Sequence, residues 1–274
     1  MRTVEAVVVA RAGGLSARST VSRLANKVIL VTGATTGIGV AIARRAAQEG
    51  GSVVVTGRDR AGGIAVAEEL GHDAVFIELD VDEERSWAKA TSEVIDRFGA
   101  LDALVNNAGV MSPNSIESVD LAQFEATMRT NAGGIVLGAR AAIAVMKSAQ
   151  RSCSIVNVLS TTAMKTSAWT LAYGASKAAA LSVTRSIALH CAEQNYPIRC
   201  NAVLPGVVMT PMVESLLEGA EDREQALAGL IATHPIGRLL RPVEVASTVV
   251  YLASDESSAV TGAHIAVDGG MTAA

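Results

Sequence analysis

Aromatic rings are few in this chain: Phe, Tyr and Trp together make up 3% of it, although half of its residues are hydrophobic. Its core must therefore be packed mostly from Ala, Val, Leu and Ile. Proline is also scarce, with 6 residues beside 24 glycines, a balance typical of tight strand-to-helix turns. Cysteine is rarer still. Cys153, Cys191 and Cys200 are odd in number and lack C-x-x-C spacing or a nearby His partner. A zinc site is thereby disfavoured, and the three thiols read as small core residues in a reducing, cytoplasmic compartment. There is no block of Lys and Arg, and the net charge is −4, so nothing calls for a nucleic acid or an anionic membrane surface as partner. No apolar run approaches the ~20 residues of a membrane helix. The length, 274 residues, fits one α/β domain with a full core.

The first two dozen residues stand apart. Met1 to Ser22 holds Arg2, Arg11 and Arg18, a Gly13-Gly14 break and a single acid, Glu5. An organellar transit peptide has such a composition, and a flexible tail or an upstream start codon explains it equally well. The apolar stretch Ala6 to Ala10 is too short for a secretory signal. Residues 1–23 are therefore read as a flexible N-terminal extension and residues 24–274 as one domain.

Within that domain, short apolar runs alternate with helical patterns. Lys27–Val31, Ser52–Thr56, Val75–Leu79, Leu101–Val105, Ser154–Leu159, Ile198–Val203 and His264–Val267 read as strands. Helices are expected over Ile38–Gln48, Ala61–Leu70, Glu83–Phe98, Leu121–Lys147 and Pro242–Leu252, and another carries Tyr173 on to about Glu193. Pro211–Ala232 reads as a mobile, partly helical insertion. Strict alternation of this kind predicts a Rossmann-type, doubly wound α/β domain, its parallel sheet covered by helices on both faces.

The chemistry-bearing residues fall at the strand ends. Thr32-Gly33-Ala34-Thr35-Thr36-Gly37-Ile38-Gly39 lies where the first strand meets the first helix. Glycines there permit a tight turn and close approach to a pyrophosphate resting on the helix N-terminus. At the tip of the second strand, Gly57 occupies the place where an acid would accept from a ribose 2′-hydroxyl, and Arg58 follows it. A guanidinium there can pair with a 2′-phosphate, which predicts NADP over NAD. The other reading makes Arg58 and Arg60 solvated charges and gives the hydroxyl to Asp59. Asp80 and Val81 close the third strand near an adenine site, where Asp80 serves either the adenine amine or a helix cap. Asn107, Ala108 and Gly109 end the fourth strand, placed to pin loop backbone and ribose or to form an Asx-turn.

Tyr173 and Lys177 lie four apart in a helical segment, hence one turn apart on one face. An ammonium group near a phenol favours the phenolate and is expected to pull its pKa down toward working range. Such a pair suits acid–base chemistry on an alcohol or carbonyl.

Together these motifs resemble the short-chain dehydrogenases/reductases over essentially all of Leu24 to Ala274. The likeness rests on T-G-x-x-x-G-I-G at Thr32–Gly39, N-N-A-G at Asn106–Gly109, Ser160, Y-x-x-x-K at Tyr173/Lys177, and Pro205-Gly206 followed by Thr210-Pro211. The resemblance implies a catalytic tetrad of Asn131, Ser160, Tyr173 and Lys177, with Asn131 holding a water in a proton relay. It also implies that Lys177 binds the nicotinamide ribose, and that Thr210 and the backbone near Val208 hold the carboxamide. Within the family the chain is most similar to bacterial R-specific, NADP-dependent alcohol dehydrogenases, through Thr56–Arg58, Ala188–Arg199 and the C-terminal V-D-G-G-M-T-A-A. Those relatives are homotetramers with a structural magnesium near a C-terminal Gln. This chain ends in Ala273-Ala274, and no metal ligand is assigned.

The implied reaction is hydride transfer between NADP(H) and a secondary alcohol or ketone. An apolar pocket is expected from Met111, Met164, Trp169, Val207, Met209, Met212, Leu216 and Leu217, residues that would serve equally as ordinary core. Reductases of acyl-carrier β-ketoesters, steroids or sugars would keep the same catalytic residues, and a non-catalytic dinucleotide sensor is the rival of a different class.

Overall fold

In a computed structural model of the chain, residues 22–71 and 73–274 are described. Met1 to Val21, nearly all of the extension read as a flexible tail, lie outside them, as does His72. The folded body already includes Arg23, whose guanidinium donates to Glu256 at 2.9 and 2.6 Å.

The β-branched runs form seven parallel strands: β1 (Val28–Thr32), β2 (Ser52–Gly57), β3 (Ala74–Glu78), β4 (Ala103–Asn106), β5 (Cys153–Val158), β6 (Ile198–Pro205) and β7 (His264–Val267). Their spatial order is β3-β2-β1-β4-β5-β6-β7. Val31 of β1 pairs with Val55 on one side and Val105 on the other. The connections part in opposite directions between β1 and β4, which leaves a crevice at the carboxyl ends of these strands.

The helices among the described residues are α1 (Gly37–Gln48), α2 (Arg60–Leu70), α3 (Glu84–Phe98), α4 (Leu121–Met128), α5 (Gly134–Met146), α6 (Leu171–Glu193), α7 (Pro211–Glu218), α8 (Arg223–Ala232) and α9 (Pro242–Ala253). Ile42 and Ala46 of α1, Val66 of α2 and Val249 of α9 join one core with Ile29, Val31, Val53 and Val55. Trp87 and Val94 of α3, Ala139 of α5 and Cys191 of α6 join another with Val28, Leu30, Val54 and Ile155. Successive strand residues thus serve opposite faces, as the pleat requires. The three cysteines are buried and unpaired, and burial pushes the Cys153 thiol up to about 11.

Two expectations need correction. The helix expected unbroken over Leu121–Lys147 is two helices, separated by a π-helical turn at Arg129–Gly133. The turn places Asn131 in the interior, fully buried, where its amide clamps the backbone of Val110. A π-turn of this kind commonly marks a functional site. The Pro211–Ala232 insertion is likewise more regular than expected. Pro211 opens α7 at its first turn, and Asp222 caps α8 by accepting from the Gln225 N–H at 2.9 Å.

Candidate active site

The crevice is a cleft of about 460 Å³, within the usual range for small-molecule sites. Its floor is the glycine-rich turn between β1 and α1. Gly33 has φ +61°, and a Cβ there would lie 2.9 Å from the Ala108 Cα; a Cβ at Gly39 would lie 2.2 Å from the Gly33 carbonyl oxygen. Any side chain at either position would force the turn apart. Thr32 and Asn107 hold it from below. The Thr32 hydroxyl accepts from the N–H groups of Asn107 (2.9 Å) and Ala108 (3.0 Å), and Asn107 Nδ2 donates to the carbonyls of Thr32 (3.0 Å) and Gly33 (3.2 Å). Thr36 precedes α1 in extended backbone without capping it by its side chain, so first-turn N–H groups stay available to an anion. This cradle fits a dinucleotide pyrophosphate.

Thr35, Thr36, Gly37, Ile38, Gly57, Arg58, Asp80, Val81, Asn107, Ala108 and Gly109 all line the cleft. Asp59 lines it too, but its carboxylate accepts from the Gly62 N–H at 3.0 Å and caps α2. Arg60 leans toward Glu78 at 3.8 Å. Asp80 does not cap α3, whose N-cap is Glu83; it accepts from the Asp82 N–H at 3.0 Å. Thr210, at the start of α7, lines the cleft and makes no cap with its side chain. Behind it Val208 is buried and bridges to Leu240, while Pro205 and Gly206 lead out of β6.

Tyr173 and Lys177 reach the inner end of the cleft from the first turns of α6. Lys177 Nζ lies 5.4 Å from the Tyr173 ring centre and donates to the Val158 carbonyl at 3.2 Å. Burial lowers the pKa of this ammonium to about 8, since a charge away from water is costly. Burial likewise raises Tyr173 above the ordinary phenol value, and the Ser160 side chain offsets only part of the rise. This reverses the direction expected from the sequence, because desolvation is the largest effect on the phenol. Ser160 is buried and also accepts from the Thr162 N–H at 3.2 Å.

Asn131 completes the group. Its Oδ1 accepts from Val110 N–H at 2.8 Å, and its Nδ2 donates to the Val110 carbonyl (2.9 Å) and Ser176 Oγ (3.0 Å). A Cβ on Gly109 would come within 3.0 Å of Asn131 Oδ1 and 3.5 Å of Lys177 Nζ, so a bare Gly109 lets the two approach.

The residues expected to form an apolar pocket divide. Met212 lines the cleft. Met164 and Trp169 are 54% and 71% exposed near it in the chain. Met111, Val207, Met209 and Leu216 are half-buried. Leu217 is only 1% exposed, and its side chain belongs to the interior of this form.

Sequence reasoning missed Asn114, a buried residue on the loop after β4. Thr170 does not cap α6 with its own side chain. Asn114 Oδ1 does so from another loop, accepting from Ala172 N–H at 3.0 Å, and its backbone pairs with Trp169 and Leu171. It also missed Asn157, which accepts from Asn106 at 2.8 Å and donates to Thr184 at 2.9 Å, tying β4, β5 and α6 beneath the site. Short motifs carry no trace of such contacts; only a buried Asn in a strand was there to be noticed.

A family model described as enoyl-(acyl carrier protein) reductase matches residues 33–272. The chain belongs to the short-chain dehydrogenase/reductase family, and it is an NAD(P)-dependent oxidoreductase acting on CH–OH and carbonyl groups. It is 38% identical to the NADP-dependent (R)-specific alcohol dehydrogenase of Lentilactobacillus kefiri, over 92% of this chain and 98% of that one. It is 34% identical to the 3-beta-hydroxysteroid dehydrogenase of Comamonas testosteroni, over 90% and 96%. Among solved structures, the ligand-free aldohexose dehydrogenase of Thermoplasma acidophilum superposes with a TM-score of 0.83 at 34% identity, covering 92% of this chain and 96% of that one. Among the described residues, no helix is long and apolar enough to cross a membrane.

Proposed function

We propose that this protein interconverts secondary alcohols and ketones with NADP(H), using Asn131, Ser160, Tyr173 and Lys177. The observation that carries the reading is Lys177 Nζ, 5.4 Å from the Tyr173 ring centre and anchored to the Val158 carbonyl, with both side chains lining a cleft whose floor fits a dinucleotide. When bound, the nicotinamide supplies or accepts the hydride.

The chain's own residues handle the proton. A phenol whose pKa is raised by burial keeps its proton at neutral pH, the state needed to donate to a ketone oxygen as it gains charge. Ser160 offers a second hydroxyl to the same oxygen. Lys177, mostly charged at neutral pH, steadies the phenolate left after transfer and faces Asn131 across Gly109. Because the Asn131 side-chain amide is spent on Val110 and Ser176, a water carrying the proton past it would be held by main-chain carbonyls of the π-turn.

The cation at the second strand supports NADP over NAD. Gly57 offers no carboxylate, Asp59 is spent on α2, and Arg60 leans toward Glu78, whereas Arg58 lines the cleft and forms no ion pair among the described residues. The exposed Met164, Trp169 and Met212 support apolar substrates, since methionine adapts to varied shapes. The small exposed residues of α6, among them Ala175, Ala178 and Ser182, support close helix packing in a homotetramer. Residues 24–274, with Arg23 packed against them, form a single catalytic domain, and the location is the cytoplasm.

Tyr173→Phe tests the reading. Its kcat should fall by roughly 10²–10⁴ with NADPH binding intact; near-full turnover would remove Tyr173 from the chemistry.

A further inference from the structure

One buried histidine has no place in the tetrad. His234 is 2% exposed and follows α8, where the chain returns from the insertion to the body. Both ring nitrogens have partners. The Val207 N–H donates to Nε2 at 3.0 Å, and because a backbone amide can only donate, Nε2 carries a lone pair. The ring proton therefore sits on Nδ1, which is 3.0 Å from the Leu230 carbonyl oxygen and 3.1 Å from Thr233 Oγ1. Two backbone groups thus select one tautomer of the neutral ring.

The position of this ring matters as much as its state. Val207 and His234 are the two ends of segment 208–233, which contains Thr210 and Met212 of the cleft and both α7 and α8. Two backbone bonds reinforce the junction: Leu240 N–H donates to the Val207 carbonyl and Met209 N–H to the Leu240 carbonyl, each at 3.0 Å. The ring is wedged tightly, since a Cβ on Gly206 would lie 2.7 Å from Nε2. Within the segment α7 is anchored by the buried Val213 and Leu217, whereas α8 buries none of its own residues, so the α8 half depends on the junction at His234.

We propose that His234 is a positioning residue: its neutral imidazole pins the base of segment 208–233, keeping Thr210 and Met212 over the reaction centre, and its protonation releases that segment. The groups facing it from β6 and α8 (Gly206, Val207, Leu230 and Thr233) are uncharged. The charged group acting on it is Asp268, on the turn after β7. Burial works to raise this carboxyl, but hydrogen bonds from Thr272 and Gly270 leave it below its usual range. An imidazolium would gain from Asp268 but would set its Nε2–H against the Val207 N–H, donor against donor. Acid therefore breaks the pin, and alkali leaves it intact.

The role in turnover rests on the reductase reading; the conformational role does not, and the test separates them. Hydrogen-exchange protection of residues 205–234 is measured on the full chain without substrate, normalised to intrinsic rates, across roughly pH 5 to 8, where histidine titrates. The wild type should lose protection about tenfold toward the acid end, the effect of a buried donor left unpaired. His234→Gln, whose side-chain oxygen reaches the Nε2 position, should stay protected throughout. His234→Phe should be open at every pH, and its KM for a ketone should rise roughly tenfold while kcat changes less. Protection that ignores pH in the wild type, or an acid response that persists in His234→Gln, overturns the proposal. If His234→Phe does not fold, the pair of wild type and Gln variant still decides. Absence of any turnover would sink the reductase reading and leave the exchange result standing.

Discussion

The two walls of the cleft are built by different means. The dinucleotide wall is backbone held by two buried or half-buried polar side chains: Thr32 and Asn107 bind the main chain of the neighbouring turn, and glycines 33 and 39 leave no room for a side chain. The side expected to meet the substrate presents side chains: Met212 lines the cleft at 42% exposure, and Trp169 and Met164, expected beside it, are 71% and 54% exposed. A ligand shared by many reactions is gripped by groups that mutation cannot easily alter. Selectivity for the variable partner falls to residues that can change without disturbing the fold.

The contrast can be broken at its strongest point first. Gly39→Ala places a Cβ 2.2 Å from the Gly33 carbonyl, so NADPH affinity should drop about hundredfold in a fluorescence titration as overpacking distorts the turn. Wild-type binding would mean that the cradle is softer than its contacts say. Next in size, Arg58→Ala should cut kcat/KM for NADPH roughly ten- to hundredfold and leave that for NADH unchanged, as expected for a charge-assisted contact. Equal losses with both cofactors would assign Arg58 to structure. Asn114→Ala removes the cap of α6 and should cost about 1 kcal/mol, read as a lower Tm, with kcat reduced more than KM. A change in Tm alone would separate the cap from the chemistry. The smallest effect is expected on the other wall, where Trp169→Ala should shift preference among ketones by less than about tenfold and leave cofactor binding as it was. A loss of cofactor binding there would erase the distinction between the walls.

The same division decides what could be read in advance. The alternating strands and helices, the glycine spacing at 33, 37 and 39, and the Tyr173–Lys177 interval all depend on neighbours a few residues apart, and each shows in the sequence. The π-turn at Asn131, the cap from Asn114 and the ring of His234 depend on partners 21, 58 and 27 residues away. Distances of that kind leave no periodic pattern. The state of Tyr173 was misjudged for a related reason. The sequence displays the ammonium four positions on, but not the burial that is the largest effect on the phenol.

The borrowed cap on α6 bears on how an oversized guest is received. Asn114 Oδ1 holds the start of that helix, and the Asn114 backbone is stitched to Trp169 and Leu171. A compound that prised the two loops apart would strip the helix of its cap and shift Tyr173, which stands in its first turn. Bulk in that direction would make a molecule a blocker of the enzyme, not merely a sluggish customer.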